Sequence, residues 1–375
     1  MPWQERSIMV QRQEFVTLVQ QDGLSIAAAC RCAGISRPTG YRWLARAAAG
    51  EQDFTDRSRR PHHAPRRTSA ETEAAVLALR AQHPAWGGRK LHHALAREGM
   101  VQPPAASTIT AILRRHGQLL PIPPRRDFRR FERDAPNDLW QLDFMGHRPL
   151  ARGRVHPLTI VDDHSRFALC LTACADEQQS TVQAHLTAVF RAYGLPQAIL
   201  ADHGSPWGTA GRGGLTTLEA WLLQLGIDLW HGRPQHPQTR GKVERFHRTI
   251  AVEVFAGPRL PDLREAQTAF DAWRALYNAH RPHEALDDGV PAERYQPSPR
   301  PFPATLPEVI YAREDVVCPV TLHGSITWQG RRVFVSRGLV GQPVAVRPTL
   351  DAAVWTVHFC QRQVAVIDLR DPDEV

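Results

Sequence analysis

Lysine is nearly missing from this chain of 375 residues: Lys90 and Lys242 are its only two, so arginine supplies nearly all of the basic excess. No uninterrupted apolar run reaches the ~18 residues that a bilayer span requires. Residues 1–15, MPWQERSIMVQRQEF, contain no apolar segment of secretory type, so neither membrane insertion nor export is signalled. The six cysteines (Cys30, Cys32, Cys170, Cys174, Cys318 and Cys360) are scattered and form no CxxC pair. That disfavours a disulfide framework or a zinc site and fits a reducing cytoplasm. No repeat of solenoid length is present.

What is present is a formal charge of +8 and a pI near 9.6, on a chain whose 42% apolar content can build a real core. The length suggests roughly two to four units. The charge points to an acidic partner, with nucleic acid ahead of anionic lipid.

Residues 1–50 read as helices. IMVQRQEFVTLVQ (8–20) sets Phe15, Val16 and Val19 at helical spacing. In LSIAAACRCAGISRPTGYRWLARA (24–47), Ser25 and Ser36 can each cap a helix, and Gly34 marks the turn between them. This is a helix-turn-helix pattern, whose second helix presents Arg37, Thr39, Tyr41 and Arg42 to a DNA major groove. Residues 51–68 form a basic linker in which Arg59, Arg60, Arg66 and Arg67 suit a phosphate-tracking arm. A second helical, winged or helix-turn-helix-like unit is expected over 69–118. Its helices begin near Ser69 and Ser107, and Arg114 and Arg115 end the last of them. Residues 119–133 read as a further linker.

From residue 134 the pattern becomes α/β. LWQLDFMGH and VHPLTIVDDHSRFALCLTAC supply three hairpin-linked strands, and PQAILADHG and IDLWHG two more. The helices STVQAHLTAVFRAYG, LTTLEAWLLQLG and GKVERFHRTIAVEVF lie between and after them. A mixed five-stranded sheet with flanking helices is expected through residue 295. Residues 296–307, rich in proline, read as a linker, and the short strands of 308–375 as a small all-β barrel.

Three acids fall where this fold could gather them: Asp143 on the first strand, Asp202 ending a buried one, and Glu244 on the last helix. Clustered carboxylates repel unless a cation joins them. A hard divalent ion accepts such oxygen ligands together with waters and substrate phosphates.

Five motifs carry a resemblance: DLWQLDF, the IVDDHSRF hairpin, LADHGS, HPQTRGKVERFHRT and YNAHRPHEAL. In this order they resemble bacterial insertion-sequence transposases of the DDE superfamily, which share the retroviral-integrase catalytic core. The likeness is strong over about residues 134–295 and extends less specifically to both flanks. It implies an RNase H-like fold and a metal-binding catalytic triad of Asp143, Asp202 and Glu244. Two Mg²⁺ or Mn²⁺ ions are expected there. It also implies cleavage at the element's ends and strand transfer into target DNA. Gln238, Lys242, Arg245 and Arg248 would lie along the DNA backbone. The partners implied are double-stranded DNA (transposon ends and target) and further copies of the chain assembled on it, in the cytoplasm without a membrane. The rival readings are a non-catalytic DNA-binding regulator and an RNase H-like nuclease.

This sequence departs from the family at His203, where asparagine is usual, and in GTAGRGGLTTLE (208–219), which lengthens a loop and suggests a mobile active-site segment. Asp162 and Asp163 read as hairpin-turn residues, with Arg166 in the strand that follows. Trp140, Trp221 and Trp273 read as core. Trp207, beside Asp202, is the tryptophan placed for DNA contact. The pairs His62–His63 and His92–His93 read as non-ligating.

Overall fold

Serine sets the helix starts in the first of two compact units, Met1–Arg67 and Thr68–Val375. A computed structural model describes residues 7–51, 53–56, 68–119, 132–204, 206–208, 214–231 and 241–370. In the first unit Ser7, Ser25 and Ser36 open α1 (Ile8–Gln20), α2 (Ile26–Cys32) and α3 (Arg37–Ala48). Each stands in extended backbone and accepts from an N–H of the first turn that the helix leaves open. Phe15, Val16, Ala29, Cys30 and Trp43 share one core. The guanidinium groups of Arg12 and Arg46 lie over the Trp43 ring at 4.2 and 4.7 Å from its centroid. Arg59, Arg60, Arg66 and Arg67, like His62 and His63, lie outside the described residues.

The second unit begins with α4 (Ala70–Gln82), capped by Ser69, then α5 (Gly88–Arg97) and α6 (Ala106–Arg115). Ser107 does not cap α6. The helix starts at Ala106, two residues sooner than a Ser107 cap would allow, behind Ala105 and with no side-chain cap. Trp86, Leu91, Ile109, Ile112 and Leu113 form the core of these helices. On α5, Arg89, His93 and Arg97 stand four residues apart and pair in order with Glu284 (2.7 Å), Asp288 (3.2 Å) and Glu293 (2.7 Å). That side of α5 therefore faces the segment 284–293 and is not displayed to a groove.

The central sheet comprises β1 (Leu139–Phe144), β2 (Arg148–Pro149), β3 (Arg154–Asp162), β4 (Ala168–Cys174), β5 (Ala198–Ala201) and β6 (Asp228–His231). The five expected strands are all present, and the two-residue β2 adds a sixth by pairing with the start of β3. Strands β1, β3 and β4 pair antiparallel, whereas β5 and β6 continue from β1 in parallel. Arg166 sits in the turn before β4 at φ 64°, outside the strand.

Four helices cover the sheet: α7 (Gln179–Tyr193), α8 (Thr217–Gln224), α9 (Gly241–Glu253) and α10 (Leu263–Ala279). Trp140, Leu142, Ile160 and Ile199 face Leu186, Phe190 and Leu222 of α7 and α8. On the opposite face Val161 and Leu171 meet Phe246, Ile250, Phe270 and Trp273 of α9 and α10. Because both faces are covered, β1 is buried almost along its length, although its sequence alternates.

The proline-rich segment 296–307 is docked and does not run free. Arg300 donates to the carbonyls of Pro196 (2.7 Å), Leu225 (2.9 Å) and Gly226 (2.8 Å), and Ser298 Oγ donates to Leu195 O at 2.6 Å. Beyond it, β7 (Val316–Pro319), β10 (Pro343–Pro348), β11 (Val354–Phe359) and β12 (Arg362–Asp368) form one antiparallel sheet, and β8 (Ser325–Trp328) pairs with β9 (Arg331–Phe334). The two sheets wrap one core, open where no strand pairing joins them among the described residues. Leu215 and, on α8, Ala220 and Leu223 enter that core. Glu219, whose carboxyl burial pushes upward, meets Arg362 at 2.9 Å.

The crossing of α5 and α6 gives a direct test. A Cβ on Gly88 would lie 2.3 Å from Ala106 O and 2.4 Å from Thr110 Oγ1, whereas one on Gly87 would meet nothing within 4 Å. Gly88→Ala is expected to cost about 1–3 kcal/mol through overpacking, and Gly87→Ala close to nothing, by chemical denaturation. Equal effects would contradict the tight crossing.

Candidate functional site

The parallel pairing of β1 with β5 sets the geometry. Leu139, Trp140 and Gln141 face Ala198, Ile199 and Leu200 in register, so two residues further along each strand Asp143 stands beside Asp202. Side chains alternate along a strand. Trp140 and Leu142, like Ile199 and Ala201, point into the α7–α8 core, so Asp143 and Asp202 belong to the face covered by α9. The backbone beyond β5 is pinned as well. Gly204 N donates to Asp202 Oδ1 at 2.9 Å, and His231 Nδ1 meets the Asp202 carbonyl at 2.7 Å. A carbonyl only accepts, so His231 carries its proton on Nδ1 there. His203 stacks on His231 with ring centroids 4.9 Å apart.

Glu244 occupies the first turn of α9 and is exposed. Two hydrogen-bonded chains tie its helix to the sheet, one on each side of it. Before it, Val243 N donates to Gln141 Oε1 at 3.2 Å. After it, His247 Nε2 lies 2.7 Å from Thr159 Oγ1, and that hydroxyl donates to Asp143 O at 2.8 Å. With its one proton given to Asp143 O, the Thr159 oxygen accepts from His247.

The donor chemistry suits a hard cation, since the three groups are all carboxylates and neighbouring strands lie only about 4.8 Å apart. Among the described residues, no group of three or more His, Cys, Asp or Glu is placed to hold a metal ion. The β1–β5 register sets Asp143 and Asp202 at one level, and Glu244, on the helix tied to β1 through Val243, completes no three-ligand set with them. Residues 205, 209–213 and 232–240, which adjoin Asp202 and Glu244, lie outside the described residues, and Gln238 is among them.

Other expected residues are distributed unevenly. Arg245 and Arg248 are exposed on α9, and Arg37, Tyr41 and Arg42 are exposed on α3. The Thr39 hydroxyl is engaged with Ser36 Oγ at 2.9 Å, within the helix cap. Lys242 is withdrawn from solvent. It pairs with the fully buried Asp163, and burial pulls its amine down to about 8 even though Asp163 opposes the shift. Trp207 is 2% exposed and stacks on Phe144 at 5.5 Å, so it belongs to the core. Trp140 and Trp273 are core residues too, and Trp221 packs at the core's edge. The second half of the 208–219 loop is anchored: Ser336 Oγ accepts from Leu215 N (2.9 Å) and donates to Leu215 O (2.7 Å), while a Cβ on Gly338 would come within 2.2 Å of that carbonyl. His92 meets Pro104 O at 2.9 Å, and His93 pairs with Asp288.

Sequence reasoning missed the residues that hold the acids in place: Gln141, Thr159, Asp163, His231 and His247. One signal was available, since Gln141 shares the Asp143 face of a strand otherwise made of large apolar residues.

Comparison with known proteins agrees with this architecture. Two models of the integrase core domain match residues 133–237 and 225–291. A helix-turn-helix domain matches 11–62, a homeodomain-like domain 39–113, and the C-terminal domain of IS481 family transposases 315–374. The insertion element IS407 uncharacterized 31.7 kDa protein of Burkholderia multivorans is 26% identical over 59% of this chain and 79% of its own length. The insertion element IS476 uncharacterized 39.2 kDa protein of Xanthomonas euvesicatoria is 25% identical over 75% of each. The Pro-Pol polyprotein of simian foamy virus type 3 is 32% identical over 31% of this chain and 9% of its own. Among solved structures, the HTLV-2 integrase catalytic core domain in complex with magnesium is similar over 44% of this chain and 99% of that one, at 14% identity and a TM-score of 0.33.

The fold and the matched domains define a protein with a retroviral-integrase-type core between helix-turn-helix domains and a sheet-rich C-terminal region. Within that class, its C-terminal region matches the C-terminal domain of IS481 family transposases, and most of the chain is similar to proteins of bacterial insertion elements.

The bridge between α9 and Asp143 can be removed with little change in shape. Thr159→Val takes a hydrogen-bond partner from both His247 and Asp143 O in a position 0% exposed. A loss of about 1–3 kcal/mol is expected by chemical denaturation, and an unchanged midpoint would show that the bridge has no weight.

Proposed function

We propose that this protein binds the terminal inverted repeats of an insertion sequence, cleaves DNA at their ends and transfers those ends into target DNA. The observation that carries the reading is the pairing of β1 with β5, which sets Asp143 and Asp202 side by side beneath the helix of Glu244. These three carboxylates would hold Mg²⁺ or Mn²⁺, in the proposal two ions. When bound, such ions activate the attacking water or 3′-hydroxyl and stabilise the leaving oxygen. Around them the chain's own residues position DNA. Arg248, one turn beyond Glu244, and the adjacent Arg245 present exposed guanidinium groups suited to bidentate phosphate contact. Arg37, Tyr41 and Arg42 on α3 suit the recognition of end sequence. Strand transfer uses paired ends, which calls for more than one copy of the chain assembled on DNA.

The decisive assay incubates an oligonucleotide carrying the element's end with the protein and Mg²⁺. Wild type is expected to nick at the end and Asp202→Asn to leave the DNA intact; nicking that survives the substitution would defeat the site assignment. For recognition, Arg37→Ala with Arg42→Ala is expected to weaken end binding and lower the slope of log affinity against log salt by up to about two. An unaltered slope would remove α3 from the interface.

A further inference from the structure

Asp163 was expected only to shape a hairpin, yet it is 0% exposed and gathers donors from three separate parts of the chain. Its Oδ1 accepts from Gln141 Nε2 at 2.8 Å, and its Oδ2 accepts from Arg133 N at 2.8 Å and pairs with Lys242 Nζ. Its carbonyl accepts from Lys242 Nζ at 2.8 Å and from Arg166 Nη1. Asp162 is the residue that makes the turn, with Oδ1 accepting from the Ser165 N–H (2.7 Å) and hydroxyl (2.6 Å). The two neighbouring acids therefore have different tasks.

The route from Asp163 to α9 has a fixed polarity. A carboxylate accepts only, so Gln141 must turn its amide nitrogen toward Asp163 and its oxygen toward the helix. That oxygen receives Val243 N, one of the first-turn donors that a helix cannot satisfy internally. Gln141 thus caps α9 from the neighbouring strand, and Lys242 ties the same turn directly to Asp163. Glu244 is the next residue along. Stability alone is a poor account of this cluster, because apolar residues could fill the same space at least as favourably as a buried ion pair. Direction is what the cluster supplies.

We infer that Asp163 is a positioning residue: through Gln141 and Lys242 it fixes the first turn of α9, and so the place of Glu244 relative to Asp143. The inference rests on the transposase reading for its catalytic consequence but not for the anchoring itself.

The test compares wild type, Asp163→Asn and Lys242→Met as full chains that retain their circular dichroism spectrum. Amide hydrogen exchange at Val243 and Glu244 reads the anchoring. The Mg²⁺ dependence of end cleavage and the affinity for end DNA read its consequence. Both variants are expected to exchange these amides at least about tenfold faster and to need about 10–100-fold more Mg²⁺, with end affinity within twofold of wild type. Unchanged exchange overturns the inference, as does an unchanged Mg²⁺ requirement in a variant whose exchange has risen. A fall in end affinity that accounts for the lost cleavage also overturns it, since Lys242 would then be a phosphate contact. If wild type cleaves no end in Mg²⁺ or Mn²⁺, the transposase reading fails, and the exchange rates decide the anchoring by themselves.

Discussion

The catalytic region depends on one strand pairing. Antiparallel strands can be joined by a short turn, but β1 and β5 run parallel and need a crossover, which α7 provides. The crossover is held by burial on both faces of the sheet, with Trp140 against Phe190 at 5.9 Å as one of its contacts. Once Trp140 is in register with Ile199, the acids three residues further on along each chain segment have no freedom in their relative height. A slip of one residue would turn Asp202 to the other face and bury a carboxylate among leucines.

The arginine bias takes on meaning against that frame. The two lysines are both withdrawn, and burial draws each amine down to about 8. Lys242 is tied to Asp163, and Lys90 lies at the start of α5. The cations left on the exposed surfaces of α3 and α9 are arginines. Their planar forks stay charged and match phosphate geometry, which an ammonium does not. The chain thus keeps its lysines inside and puts guanidinium groups where a polyanion could lie.

Much of this was legible in the sequence because the signals are local. Ser25, Ser36 and Ser69 are caps whose hydrogen bonds span three residues, and the alternation in LWQLDF marks a strand from its own residues. The candidate acids stood out through the motifs around them. What was not legible depends on partners far away in the chain. Trp207 looks available for DNA in a glycine-rich loop, and only the fold brings Phe144 against it. QPSPRPFPATLP has the composition of a tether, yet Arg300 finds carbonyls near residues 196 and 225. Lys242 in a basic run reads as a phosphate ligand until Asp163, 79 residues away, claims it. Ser107 failed for a local reason, since proline and alanine ahead of it let the helix begin sooner.

The sheet-rich C-terminal region shares its core with α8 and receives the chain from a segment pinned to the catalytic sheet. The loop after Asp202 ends on that region through Leu215 and Ser336. The segment that leads into α8 is thereby braced by a domain that sequence composition sets apart. The measurement that bears most directly on the central claim is anomalous diffraction from crystals of the chain bound to an end oligonucleotide in Mn²⁺. The account predicts a manganese peak in contact with the carboxylates of both Asp143 and Asp202, at the phosphate to be cut. A DNA-bound structure with its manganese elsewhere, or with the two carboxylates apart, would contradict it.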